Sequence, residues 1–201
     1  DDGVKGLIID PVVSATKQAN IHLLTQISEK IPMVIINSDL DIPKAGILIL
    51  NDYECGALAA DKFLSLGHKK LAVIYKAIHK ATVERANGFI DKVKEYKKTT
   101  LYELPFHALE TSDTAINLIM SLLSLPKDNV PTAIFCSNDL VAMQVVMAAK
   151  RLRLEIPKDI SIIGFDDADF AQALEISTFR HPKQKFGEKA AQMLLKMIEE
   201  N

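Results

Sequence analysis

The chain has 201 residues, of which 48% are hydrophobic and 25% are charged, and its formal net charge is −2 at pH 7. This composition indicates a folded, water-soluble chain that forms one large domain or two small lobes. No apolar run is long enough to span a membrane, no signal peptide is recognisable, and directly adjacent basic residues occur only as pairs such as Lys69-Lys70. We therefore expect no membrane partner and no nucleic-acid surface on this segment.

The predicted elements alternate between strand and helix along the chain. Strands are predicted at 4–9, 33–37, 46–50, 70–75, 100–104, 132–136, 160–165 and 176–179, and helices at 19–30, 52–67, 82–96, 112–124, 139–152 and 183–199. Alternation of this kind predicts an α/β fold with parallel sheets, and the nearly continuous apolar strands indicate helices on both faces. The number of strands allows two lobes, the first with residues 1–67 and 180–201 and the second with 68–179.

Most of the predicted strands end abruptly in a polar or charged residue. The residues that follow an apolar run in this way are Asp10, Asn37, Lys76, Asn138 and Asp166. In an open parallel α/β sheet, the carboxyl ends of the strands line the crevice where ligands bind. This set of side chains suits a small, uncharged ligand rich in hydroxyl groups, since a phosphosugar would require more positive charge.

The cysteines and histidines indicate neither a cofactor nor a metal. Cys55 and Cys136 are far apart in sequence and lie in no Cys-x-x-Cys motif, so we expect two buried thiols in a reducing cytoplasm. The five histidines show no metal-ligand spacing. An enzyme is also not expected: a magnesium-dependent phosphatase using Asp10 would need a second Asp at position 12, which is Val, and no phosphate-binding or hydrolase motif is present.

Five motifs of the chain are informative through their order and spacing. They are Asn51–Ala57, Leu66–Ala72, Arg85–Phe89, Pro131–Asp139 and Ile156–Asp167. In their order and spacing they resemble the effector domain of the lactose-repressor-like (LacI/GalR) transcriptional regulators. The turn at Asp10-Pro11, Lys76 after an aromatic residue and the step His181-Pro182-Lys183 are most similar to bacterial arabinose repressors, although Ser137 stands where those carry an aromatic residue.

The resemblance implies a periplasmic-binding-protein-like type I fold, with two doubly wound parallel-sheet lobes and a sugar in the cleft between them. The chain starts on Asp1-Asp2-Gly3 and lacks the family's first strand, helix and second strand, so we expect an incomplete N-terminal lobe and missing upstream sequence. The family binds DNA through a separate N-terminal domain, which in arabinose repressors is a winged helix. We therefore expect DNA binding only through a domain absent from this chain.

The resemblance also assigns ligand-binding residues. In the family, the arginine at position 85 reaches into the cleft, and its planar guanidinium suits paired sugar hydroxyls. Asp166 would accept hydroxyl protons and balance Arg85, and Asn138 would both donate and accept. Each of these two could instead cap the following helix, a role that we assign to the neighbours Asp167 and Asp139.

The remaining candidates are Asp10, Asn37, Lys76, Phe106 and Glu110, of which the last three are weaker. Asp10 and Asn37 would contact the sugar from the first lobe, or they would only end their strands. Lys76 is a weaker candidate at a strand end. Phe106 would stack on a sugar ring or pack in the core, and Glu110 would bind the ligand or begin the next helix.

The predicted helix 139–152 is apolar almost all round, which is more than one covered face requires. Regulators of the resembling family dimerise through this helix, so we expect Met143 and Met147 to lie in a two-fold interface. The alternative is a helix that packs wholly inside its own lobe. The sequence thus predicts a cytoplasmic, dimeric, sugar-sensing domain of a bacterial repressor, with L-arabinose as the favoured effector. The alternative is an exported sugar-binding protein of a transport system, which would be monomeric.

Overall fold

The structure is a computed structural model that describes residues 3–11, 14–15, 20–107 and 112–200. Its elements are β1 (Leu7–Ile9), α1 (Ile21–Ser28), β2 (Met33–Ile36), β3 (Ala45–Leu48), α2 (Asp52–Ser65), β4 (Lys70–Lys76), α3 (Lys80–Lys94), β5 (Thr100–Phe106), α4 (Ser112–Leu123), β6 (Ala133–Cys136), α5 (Asp139–Arg151), β7 (Ser161–Phe165), α6 (Asp169–Ala173), β8 (Ser177–Phe179) and α7 (Lys183–Glu199). The alternation confirms the predicted α/β class.

The strands form two parallel sheets. One sheet has three strands in the order β1-β2-β3, and the other has five in the order β5-β4-β6-β7-β8. The chain divides into two compact units, which contain one sheet each. The first unit comprises Asp1–Leu50, Ile78–Ala81 and Pro182–Asn201, and the second comprises Asn51–Ala77 and Thr82–His181.

The first unit is built around β2, whose residues Met33, Val34 and Ile35 are completely buried. Because successive side chains of a strand point to opposite faces, Met33 and Ile35 pack with Leu24 of α1, and Val34 packs with Phe186 of α7. Both faces of the central strand are thus covered by helices, as its continuous apolar sequence predicts.

The second unit has one apolar layer on each face of its sheet. On β4, Leu71 and Val73 belong to a layer with the phenylalanines of α2 and α3, whereas Ala72 and Ile74 belong to a layer with α4 and α5. This arrangement confirms the predicted doubly wound sheet.

Two details of the second unit differ from the predicted elements. Strand β5 continues through Pro105 to Phe106, beyond its predicted end at 104, because it lies at the edge of the sheet, where a residue without an N–H is tolerated. The contacts of α2 group it with the second unit, whereas the predicted boundary at 67 placed it in the first lobe.

Candidate functional site

The carboxyl edge of the five-stranded sheet brings three predicted residues to the same end of neighbouring strands. Lys76 ends β4, Asn138 follows β6 after one residue, and Asp166 comes directly after β7. All of these strands run parallel, so their carboxyl ends share one edge. This edge is the candidate site of the second unit.

Arg85 of α3 is held at this edge by three contacts. Its Nε donates a hydrogen bond of 2.7 Å to Oδ1 of Asp52, and its Nη1 donates one of 2.8 Å to the carbonyl oxygen of Ser137. The guanidinium carbon lies 3.4 Å from the centroid of the Phe165 ring, in a cation–π contact. The side chains of Arg85 and Asp52 are each only 6% exposed. The guanidinium is therefore fixed in the protein interior before any ligand arrives.

The ion pair depends on an unusually close approach of α2 and α3. A Cβ atom on Gly56 would lie 1.8 Å from the carbonyl oxygen of Arg85, and one on Gly88 would lie 1.9 Å from that of Tyr53. Only glycine permits such contact between the two helix backbones. The crossing places Asp52, at the start of α2, against Arg85 in the second turn of α3.

Asp52 is the residue of this site that the sequence analysis missed. Burial is the largest influence on the pKa of Asp52 and raises it above its ordinary value, while the Arg85 guanidinium opposes that rise. A signal was available: Asp52 shares the buried face of α2 with Gly56, Ala59 and Phe63, at helical spacing. A carboxylate on an apolar face requires a cation partner.

The roles of Asn138 and Asp139 differ from the prediction. Oδ1 of Asn138 accepts a 2.9 Å hydrogen bond from the backbone N–H of Val141, so Asn138 is the N-cap of α5. Asp139 is buried, and its carboxylate accepts hydrogen bonds from Ala168 N and Thr178 Oγ1 at 2.8 and 2.7 Å. The prediction that Asp139 caps the helix is wrong, because the extended backbone at position 138 puts that side chain in the capping position.

Asp166 and Asp167 form a strained corner after β7. Their backbone φ angles are +115° and +50°, and residues other than glycine rarely adopt positive φ angles. Asp167 does not cap α6, because the N-cap of that helix is Ala168. The carboxylate of Asp167 instead accepts a 2.6 Å hydrogen bond from Nε of Arg180 at the surface. The predicted capping role of Asp167 is therefore wrong. Strain at Asp166 is a feature common at ligand sites.

The smaller sheet also carries its two predicted residues together. Asp10 follows β1 and Asn37 follows β2, and Nδ2 of Asn37 donates a 2.9 Å hydrogen bond to Oδ2 of Asp10. Asn37 has a φ of +58°, a region that Asn enters more readily than most residues. This pair is exposed, in contrast to the buried pair of Arg85.

The three weaker candidates have different surroundings. Lys76 is partly buried, and its carbonyl oxygen accepts a hydrogen bond from the Thr82 hydroxyl. Phe106 is only 4% exposed and packs with Ile116 and other residues of the apolar layer that contains α4 and α5, as its core-packing alternative predicts. Glu110 lies outside the described residues.

Helix α5 has an outer apolar stripe. Val141, Val145 and Ala148 are buried in the unit, whereas Leu140 and Met147 are 51% and 41% exposed. Met143 is half-buried. Leu140 and Met147 are two turns apart on one helix face, so this stripe is available for contact with another chain.

The remaining features of the described parts of the chain concern possible metal ligands, thiols and apolar helices. Among those residues, no group of three or more His, Cys, Asp or Glu side chains could hold a metal ion. Cys55 and Cys136 are free thiols, but only Cys136 is buried; Cys55 is half-buried, so the prediction of two buried thiols is wrong for Cys55. Complete burial raises the pKa of the Cys136 thiol well above its ordinary value. No helix in the described ranges has the length and apolar character to cross a membrane.

Comparisons with known proteins agree with this fold. The family of periplasmic binding protein-like domains matches residues 60–201. The arabinose metabolism transcriptional repressor of Geobacillus stearothermophilus is 34% identical over 202 residues, which cover 98% of this chain and 56% of the relative. The chain thus spans about half the length of such curated relatives.

Solved structures show the same fold at lower identity. A LacI transcriptional regulator from a Rhodococcus species has a TM-score of 0.86 at 22% identity, covering 100% of this chain and 72% of its own. A LacI family regulator from Enterococcus faecium, solved with bound ribose, has a TM-score of 0.80 at 24% identity, covering 98% of this chain and 72% of its own. The resemblance predicted from the sequence motifs is confirmed, and the chain belongs to the family of periplasmic binding protein-like domains, as found in LacI-type transcriptional regulators.

Proposed function

We propose that this chain is the effector-binding and dimerisation domain of a transcriptional repressor and that its effector is an uncharged monosaccharide, with L-arabinose favoured. The proposal includes DNA binding by another domain of the same regulator, and it places the protein in the cytoplasm, where a repressor acts. Sequence similarity to a repressor of arabinose metabolism supports the choice of sugar.

The observation that carries the proposal is the buried Arg85 at the carboxyl edge of the larger sheet. The two hydrogen bonds to Asp52 and Ser137 use two of the five N–H donors of a guanidinium. A fixed planar donor beside the strand-end side chains Asn138 and Asp166 suits a ligand that offers several hydroxyl groups in a ring. We propose that Arg85, Asn138 and Asp166 contact the effector, with Lys76, Asp10 and Asn37 as further contacts.

The mechanism that we propose is a population shift between two conformations of the domain. A sugar that binds one conformation more tightly shifts the equilibrium by its differential affinity. The attached DNA-binding domains would then respond to the altered geometry of the dimer.

Calorimetric titration of the full chain tests the effector site. The substitution Asp166→Asn keeps a residue that tolerates positive φ but removes the charge that strengthens a hydrogen bond to a sugar hydroxyl. A hydrogen bond to a charged group contributes about 1.5–3 kcal/mol, so we expect L-arabinose affinity to fall by one to two decades. Asp167→Asn is the matched control, and a loss of binding in the control but not in Asp166→Asn would contradict the assignment.

The dimer is proposed to form through the outer stripe of α5. Because Leu140, Met143 and Met147 offer apolar surface that one unit does not cover completely, a two-fold contact between copies of this helix would bury it. Sedimentation of Met147→Lys should give monomers, whereas Lys94→Glu, at the end of α3, should leave the dimer intact. A parent chain that is monomeric at micromolar concentration would contradict the dimer and favour the transport-protein alternative.

A further inference from the structure

We infer that Asp52 determines which sugars the site accepts: by neutralising Arg85, it favours uncharged sugars over sugars that carry a carboxylate. This inference rests on the proposed function, since it concerns the same effector site. It assigns a specificity role to a residue of α2 that contacts the guanidinium of Arg85 and does not follow a strand.

The side chains of Arg85 and Asp52 form a close and buried pair. Nε of Arg85 and Oδ1 of Asp52 are 2.7 Å apart, and both side chains are 6% exposed. Water screens charges poorly at such depth, so the two charges act on their surroundings as a nearly neutral pair. A ligand at the carboxyl edge would therefore meet a hydrogen-bond donor with little net positive charge.

The fold holds Asp52 against Arg85 permanently. The backbones of α2 and α3 touch at Gly56 and Gly88. Helix α2, which carries Asp52, therefore cannot move away from α3, which carries Arg85, without opening the apolar layer that both helices form on the sheet. Asp52 lies on the buried face of α2, where its side chain is only 6% exposed to solvent. The charge of Arg85 is thus compensated before a ligand binds.

Arg85 has further electron-rich neighbours besides Asp52. The guanidinium also donates to the carbonyl oxygen of Ser137 and lies on the face of the Phe165 ring, and both partners are electron-rich. The carboxylates of Asp139 and Asp166 belong to the same edge. With the ammonium of Lys76 at the end of β4, the edge has two cations and three carboxylates, including Asp52. An anionic group of a ligand would add to this excess of negative charge.

A purely structural role for Asp52 makes a different prediction. If the ion pair only fastened α2 to α3, its loss would lower the affinity for every sugar by a similar factor. If Asp52 sets the charge preference, its loss would change the ratio of affinities between charged and uncharged sugars. The ratio therefore separates the two roles.

The experiment compares parent and Asp52→Asn in calorimetric titrations with three sugars. L-Arabinose, D-galactose and D-galacturonate share one arrangement of ring hydroxyls and differ in carrying hydrogen, hydroxymethyl or carboxylate on C5. Asn keeps an oxygen that can accept from Arg85 but removes the negative charge. We expect the parent to bind an uncharged member at least tenfold more tightly than galacturonate, and we expect Asp52→Asn to reduce that preference at least tenfold.

The control is Asp61→Asn, which removes a carboxylate from the exposed pair that joins the same two helices, Lys92 with Asp61 at 3.6 Å. It should leave the preference unchanged. An unchanged ratio in Asp52→Asn would overturn the inference while leaving the proposed function intact. A parent that binds none of the three sugars would overturn the proposed function as well. If Asp52→Asn fails to fold, the parent titrations decide: galacturonate binding as tight as that of the uncharged sugars would refute the inference.

Discussion

The carboxyl edges of the two sheets carry similar polar residues but hold them in opposite ways. At the three-stranded sheet, Asp10 and Asn37 share one exposed hydrogen bond. At the five-stranded sheet, Arg85 is buried between Asp52, Ser137 and Phe165. The first arrangement can rearrange around a ligand at small cost, whereas the second is ordered in advance and loses little further freedom on binding. We therefore expect substitutions at the two edges to differ strongly in their effect on stability.

The largest difference should appear between Arg85→Ala and Asp10→Ala. Removing Arg85 leaves the Asp52 carboxylate buried without its cation, which typically costs about 3–5 kcal/mol, whereas losing an exposed polar pair costs about 1 kcal/mol or less. Urea unfolding of both variants measures the contrast. Equal losses would show that the two edges are held alike. A double variant Asp52→Leu with Arg85→Leu should be more stable than Arg85→Ala, because no unpaired charge remains.

The next effect concerns the helix contact that supports the buried edge. In Gly88→Ala, the added Cβ would lie 1.9 Å from the carbonyl oxygen of Tyr53, so α2 and α3 must separate. Overpacking of this kind costs about 1–3 kcal/mol or more. Gly187→Ala is the control, because a Cβ at that exposed helix position meets nothing within 4 Å and should gain up to about 1 kcal/mol of helix propensity. Gly88→Ala with the stability of the parent would refute the close crossing.

A smaller effect is expected at Asn138. Asn138→Ala removes the N-cap of α5 and should cost about 1 kcal/mol in thermal unfolding, whereas Asn138→Asp should keep most of the stability, since both side chains cap well. If Asn138→Ala is as stable as the parent, the capping hydrogen bond is not formed. Sugar affinity measured on Asn138→Asp then reports on the amide group separately from the cap.

The smallest effect concerns the pH dependence of the second unit. Burial lowers the pKa of His68, whose Nδ1 lies 2.9 Å from Oγ1 of Thr132. The pKa of His68 in the unfolded chain is about 6.5, and the pKa in the folded chain is lower. The folded chain therefore favours the neutral imidazole ring. The resulting stability is present above about pH 6.5 and is lost as the pH falls below it.

Unfolding of parent and His68→Gln in urea, at about pH 8 and about pH 5.5, measures this contribution. The parent should lose more stability than His68→Gln between the two conditions. An equal loss would contradict the role of His68.

The sequence predicted the layers of the fold better than the details of the site. The positions of the strands along the chain and the burial of both sheet faces could be predicted from continuous apolar runs such as Leu71–Ile74. A strand that is covered by helices on both faces has no solvent-facing side that would require polar residues. The five-residue helix α6 was missed, since so short a segment has no measurable period. Which strand-end residues lie together also followed from the parallel topology, which fixes the shared edge.

The pairing within the site could not be derived in the same way. Asp52 and Arg85 are 33 residues apart, and only the crossing of two helices brings them together. At Asn138 and Asp139, both side chains are good caps, and a backbone angle decides between them. The sequence around these residues predicts neither the crossing of α2 and α3 nor the backbone angle at Asn138.

Hydrogen–deuterium exchange with and without saturating L-arabinose tests the central claim most directly, because it locates the bound sugar on the chain. We predict that the sugar slows exchange in peptides that cover the end of β6 with the start of α5, and in peptides that cover the corner at Asp166. Peptides from the middle of α4 should exchange at the same rate in both states. Protection absent from both strand ends, in a chain that binds the sugar by calorimetry, would contradict an effector site at the carboxyl edge of the five-stranded sheet.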